Sequence, residues 1–124
     1  MQIKTNGKTG FTLVEIMIVV AIIGLLAAIA IPNFVRARES AQLNSIANNL
    51  RILEGAKEQY ALENKLATSF TVTEDMLLPY LKGNMAVKPV VAETYTIATV
   101  GDLIVANWAG QLAGKTSPAT VTSF

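Results

Sequence analysis

The chain has 124 residues, about one domain's worth, with 10 basic and 9 acidic residues, no histidine and no cysteine. A formal charge of +1 supplies no basic field for nucleic acid, so no nucleic-acid partner is expected. Without His or Cys there is no disulfide, no usual zinc ligand, no imidazole base and no thiol nucleophile; with no G-x-x-x-x-G-K, G-x-S-x-G or H-E-x-x-H motif either, no enzyme, metal or cofactor function is expected.

Residues 1–10 are short and polar and carry Lys4 and Lys8. From Phe11 to Ile31 the sequence is apolar, about 21 residues or roughly 31 Å of helix, which matches the hydrocarbon thickness of a bilayer. Glu15 interrupts this run four residues from its start. Near a membrane centre such a carboxylate costs about 2.5 kcal/mol or more, and less toward the interface, so Glu15 calls for a partner. A secretory signal also begins with positive charge, but is cut after its apolar region. Here the obvious small-residue junction, Gly10–Phe11, comes before it. Ala28-Ile29-Ala30 offers the ordinary alternative, an A-x-A site cut after Ala30, with Glu15 a chance carboxylate in a signal or anchor. The acidic residue and the helical pattern beyond Pro32 argue against that alternative.

Lys8-Thr-Gly-Phe-Thr-Leu-Val-Glu15, the apolar run and Ile31-Pro32-Asn33-Phe34 closely resemble the N-terminus of type IV prepilins and of type II secretion pseudopilins. The resemblance is strong over residues 1 to about 40 and looser to about Lys65. It implies that Gly10 precedes the cut made by a prepilin peptidase, and that Phe11 becomes the new, N-methylated terminus. Glu15 would meet the N-terminal amine of a neighbouring subunit. Such a pair recovers its desolvation loss only in good geometry, so it would specify stagger more than add stability. With the leader removed, 8 basic residues face 9 acidic ones, a side-chain charge of −1.

Pro32 cannot donate to the carbonyl of Ala28, and Gly24 two turns earlier adds local weakness. A mild kink in a continuous helix is expected in an isolated subunit. The resemblance implies that the stretch from Gly24 to Pro32 loses helical order in a filament. Gly24, Ala27 and Ala28 also let helices approach closely. Arg36 and Arg38 follow the apolar run and read equally as contacts for lipid headgroups before assembly and as a solvated helix face. Beyond Phe34 an amphipathic stripe of Leu43, Ile46, Leu50, Leu53 and Tyr60, with Ala47 and Ala56, predicts a helix face that forms the core of a head. Arg51, Glu54 and Glu58 read as solvated faces. The helix is expected to end near Asn64 or Lys65, with Asn as a left-handed cap, about 55 residues or on the order of 80 Å from Phe11.

Thr71 to Gly83 reads as one short helix with Thr73 as N-cap, Pro79 as an interruption and Gly83 as the stop, turning Met76, Leu77, Leu78, Tyr80 and Leu81 toward the long helix. Glu93–Thr99 and Leu103–Trp108 read as strands joined by a type II′ hairpin at Gly101-Asp102. The tail from Gly110 to Phe124 supplies one more strand near Ala119–Ser123 or stays mobile. Trp108, Tyr95 and Lys88 are the candidates for a ligand-binding head, with Trp108 more naturally core. Major pseudopilins usually carry an acidic calcium-binding C-terminal loop; beyond Glu93 only Asp102 is acidic, which favours a pilin-like subunit.

The expected fold is therefore α+β and pilin-like: a long N-terminal helix whose second half packs on a small antiparallel sheet. Residues 1–10 are expected as leader, 11–35 as transmembrane and assembly helix, and 36–124 as head. The resemblance implies a single-pass protein of the cytoplasmic membrane that joins a homo-oligomeric helical filament outside it or in the periplasm. Its implied partners are membrane lipid, the prepilin peptidase and the inner-membrane assembly machinery. A pseudopilin and a DNA-uptake or adhesion minor pilin are the alternatives.

Overall fold

The structure, a computed structural model, describes residues 1–3, 7 and 10–124. Lys4 and Lys8 of the expected leader lie outside the described residues. Helix α1 runs Leu13–Glu63, and α2 Glu74–Leu77. Five short strands follow: β1 (Thr94–Thr96), β2 (Val105–Asn107), β3 (Gln111–Leu112), β4 (Lys115–Thr116) and β5 (Ala119–Thr120). This is the expected α+β, pilin-like architecture. The chain divides into two compact units, Met1–Val35 and Arg36–Phe124.

In the first unit, α1 continues in helical conformation through Pro32. The apolar residues from Phe11 to Val35 are exposed, apart from a half-buried Ala27.

The second unit is built on the predicted stripe. Ile46, Leu50 and Leu53 are at most 1% exposed, with Leu43, Ala47, Ala56 and Ala61 buried beside them. Against them pack Val72, Leu77, Leu81, Ile104, Ala106, Trp108, Leu112 and Ala119. The main sheet has the order β1-β2-β5, antiparallel throughout, with Tyr95 opposite Ala106 and Ala106 opposite Ala119. Only the middle residue of β2, Ala106, is fully buried. That is the period-2 alternation of a sheet with one face on a helix.

Several local expectations need correction. The helix starts at Leu13, not Phe11, because Thr12 takes the capping position. At its other end the left-handed residue is Lys65 (φ 51°), not Asn64. Leu66 N–H bonds Ala61 C=O at 3.0 Å and Lys65 N–H bonds Leu62 C=O at 3.3 Å, the two bonds of a Schellman motif. The predicted helix over Thr71–Gly83 breaks into α2 and two 3₁₀ turns, Leu78–Tyr80 and Lys82–Asn84. Pro79 lies in the first of these, and Gly83 (φ 75°) lies inside the second instead of stopping a helix. Thr73 has the extended conformation of an N-cap, but its side chain makes no capping bond. Leu77 and Leu81 are buried and Met76 is exposed.

The β1–β2 connection is wider than a tight hairpin, since Thr96 pairs with Val105. Its tip is a turn closed by Asp102 N–H on Thr99 C=O, so Val100 and Gly101 are central and Gly101 (φ 99°) takes the third position, the type II pattern. The rest of the predicted first strand turns to another partner: Thr99 bridges Thr71, and Val100 N–H bonds Phe70 C=O at 2.9 Å. In the tail, Ala119–Thr120 forms the predicted strand while Val121–Ser123 is a 3₁₀ turn. The β3–β4 hairpin was not predicted. It closes on Ala113 (φ 48°) and Gly114 (φ 79°), the doubly positive type I′ geometry.

Two polar clusters anchor the loops to α1. The Glu93 carboxylate, 1% exposed, accepts from Val90 N–H (2.8 Å), Val91 N–H (2.8 Å) and the Tyr95 hydroxyl (2.6 Å). Asn49 of α1 donates to the Tyr95 hydroxyl at 3.0 Å and to Lys88 C=O at 3.2 Å. Burial alone would raise the Glu93 carboxyl, but the bonds from Tyr95, Val91 and Val90 outweigh it and hold it below the ordinary value. On another part of α1, Glu54 pairs with Lys57 at 3.0 Å and accepts from Ile104 N–H, while Lys57 donates to Asp102 C=O.

All the buried residues among those described lie in 36–124, so a chain starting at Arg36 should be soluble and folded. In that chain Lys65→Gly should raise stability in urea by about 0.5–1 kcal/mol, because relief of a left-handed Lys exceeds glycine's extra backbone entropy. Glu93→Gln should lower stability at pH 7 by about 1–3 kcal/mol. Folding depresses the Glu93 carboxyl, so its contribution is complete above about pH 4.5 and fades as pH falls through the lower folded value. The gap in urea midpoint between parent and Glu93→Gln should therefore narrow at pH 3.

Candidate functional site

The sequence directs attention to the start of α1. Thr12 Oγ1 accepts from Glu15 N–H at 3.2 Å, and Glu15 Oε2 accepts from Thr12 N–H at 2.7 Å. This reciprocal pair is a capping box, which satisfies two of the N–H groups that a helix start leaves open. The carboxylate also stands at the positive end of the helix dipole. Glu15 therefore has a use within its own chain, which the sequence reading did not identify. The signal was present as T-x-x-E immediately before an apolar run.

Phe11, 87% exposed, precedes the cap. With Glu15, Ile16, Ile18 and Val19 it lines an open, mainly apolar groove of about 380 Å³. A Cβ placed on Gly10 or Gly24 would meet nothing within 4 Å. Phe11 and Glu15 thus share one groove, while Gly24 and Pro32 lie farther along the helix with exposed surfaces of their own. α1 contains a stretch long and apolar enough to cross a membrane, none of it buried within the chain.

The head candidates fare differently. Trp108 is 8% exposed and belongs to the core; its Nε1 meets no acceptor among the described residues. Tyr95 is committed to Glu93 and Asn49, and both burial and the Glu93 hydrogen bond raise its phenol well above the ordinary value. Lys88 is tied down through its carbonyl and leaves its side chain exposed. Lys88 lines a groove that neither Trp108 nor Tyr95 borders. Among the described residues no group of three His, Cys, Asp or Glu is placed to hold a metal.

Residues 5–31 match the family described as the prokaryotic N-terminal methylation motif. The type II secretion system core protein G of Klebsiella pneumoniae is 44% identical over 57 residues, 46% of this chain and 41% of that protein. The type IV major pilin protein PilA of Myxococcus xanthus (strain DK1622) is 46% identical over 61 residues, 49% of this chain and 28% of that protein. A fimbrial protein of Pseudomonas aeruginosa is 44% identical over 70 residues, 56% of this chain and 46% of that protein. In each case the match spans less than half the length of the relative. No solved structure matches the chain significantly. The chain thus carries the prokaryotic N-terminal methylation motif, and its matched portion is similar to type IV pilins and type II secretion pseudopilins.

Proposed function

We propose that the chain is a structural subunit of a type IV pilus-like filament. Residues 1–10 act as a leader, 11–35 as the membrane and assembly helix, and 36–124 as the head. The observation that carries this reading is the exposed apolar helix behind a prepilin-type junction. Burying one large apolar side chain gains about 1.5–3 kcal/mol, so a helix with residues such as Leu13, Ile22, Leu25 and Ile29 exposed is not at rest in water. A bilayer covers it first. The same helices of other copies cover it afterwards, which makes extraction from lipid an exchange between two apolar surroundings. The prepilin peptidase cuts between Gly10 and Phe11 and methylates Phe11, and an inner-membrane assembly machinery draws the subunit into the fibre.

A pseudopilin of a type II secretion system is the second reading, supported by the likeness to core protein G. The lack of an acidic cluster beyond Glu93 weighs toward the pilin.

Glu15 holds the assembly step in this proposal. Its carboxylate caps its own helix and, once Phe11 is the terminus, is available to the ammonium of a neighbour. Gly24 gives room for close helix approach, and Pro32 marks the end of the segment that can lose helical order.

Protein recovered from cells should begin at Phe11, N-methylated, by intact mass and N-terminal sequencing; a start at Ile31 would contradict the filament reading. Glu15→Ala and Glu15→Gln separate the two tasks of the carboxylate. Gln keeps a capping acceptor but removes the charge. Both variants should be cut normally. Both should lose fibres, since stranding the neighbour's buried ammonium costs on the order of 3–5 kcal/mol. Fibres restored by Gln but not by Ala would assign Glu15 to capping alone.

A further inference from the structure

The head has two exposed apolar features on different sides of α1 that complement each other in charge. One is a projection: Leu62 is 79% exposed, and Glu58, also exposed, lies one turn earlier on the same face. The other is a groove of about 250 Å³, lined by Ile52, Leu81, Met85 and Val87, with Lys82 and Lys88 as its only charged lining residues. Met85 is 61% exposed and Ile52 44%. Around the helix, Ile52 points about 120° from Glu58 and about 80° from Leu62, which lie six and ten residues further on. One copy can therefore offer its projection to one neighbour and its groove to another.

We propose that Leu62 and Glu58 of one copy dock into the Ile52–Met85 groove of the next, with Glu58 facing Lys82 and Lys88. The inference rests on the filament reading and gives it a contact between heads. The occupant is a second copy of this chain because the projection and the groove carry opposite charge and each has a vacant counterpart on every copy. A contact between two different patches does not close on itself, so it propagates along a fibre. The charges set register and reject a shifted neighbour, while the leucine supplies the apolar anchor.

The parent chain has no cysteine, so engineered thiols report without background. Leu62→Cys and Met85→Cys are introduced together in the full chain, and fibres sheared from cells are treated with a short bis-maleimide. A ladder of dimers, trimers and higher multimers is expected from the double variant, and monomers from each single one. Abundant fibres from a double variant that stays monomeric would overturn the docking and leave the filament reading standing. Dimers from Leu62→Cys alone would overturn it in favour of a symmetric contact. Absence of fibres from the unaltered chain would remove the filament reading and the docking with it. Charge reversal tests the contact independently. Glu58→Lys should lower fibre yield roughly tenfold, and adding Lys82→Glu with Lys88→Glu should restore most of it. Failure of that rescue, with the heads folded, would also overturn the proposal.

Discussion

Ile46, Leu50 and Leu53 are sealed from solvent, and residues from the loops and strands between Val72 and Ala119 pack in the same core. The head has no core apart from this helix face. A three-stranded sheet of two- and three-residue strands cannot hold itself together in water and needs a covering element. The same helix therefore serves both parts of the chain, because its apolar stretch before Val35 and its buried stripe after Arg36 are one continuous segment, Leu13–Glu63.

Side chains from α1 take over much of the hydrogen bonding that longer strands would have provided. Asn49 holds the loop at Lys88 and the hydroxyl of Tyr95; Glu54 and Lys57 hold Ile104 and Asp102; Glu39 accepts from Ala113 N–H at 3.3 Å. Lys57 is 3% exposed, an uncommon place for an ammonium. The pairing with Glu54 and the Asp102 carbonyl explains how it is tolerated, since a buried charge requires a partner.

The long elements were legible in the sequence for simple reasons. The apolar run and the stripe repeat over many residues, so their periods average out local noise. All three strands of the main sheet lie within segments legible as strands, Glu93–Thr99, Leu103–Trp108 and Ala119–Ser123, the first because β-branched and aromatic residues alternate there. What was missed depended on tertiary partners. Glu54 reads as one more surface carboxylate until Lys57 and Ile104 are known to face it. Glu93 gives no sign that Ala92, at φ 60°, turns two successive N–H groups toward it. The β3–β4 turn escaped because Ala113 is a poor match to a position that usually takes Asn or Asp. At the candidate site, Glu15 stands out in the sequence by its misfit with lipid, whereas its capping bonds with Thr12 are signalled only by the T-x-x-E spacing.

The shortness of the strands has a consequence for crowding. An exposed sheet edge is a template on which another chain can add a strand, and the hazard grows with edge length. Here the outer strands β1 and β5 have three and two residues, and the 3₁₀ turn Val121–Ser123 follows β5 directly. Many copies confined to a thin layer would have too little free edge to nucleate cross-β aggregation. The head therefore offers little backbone for recruitment, a restraint achieved by strand length and not by long charged edges.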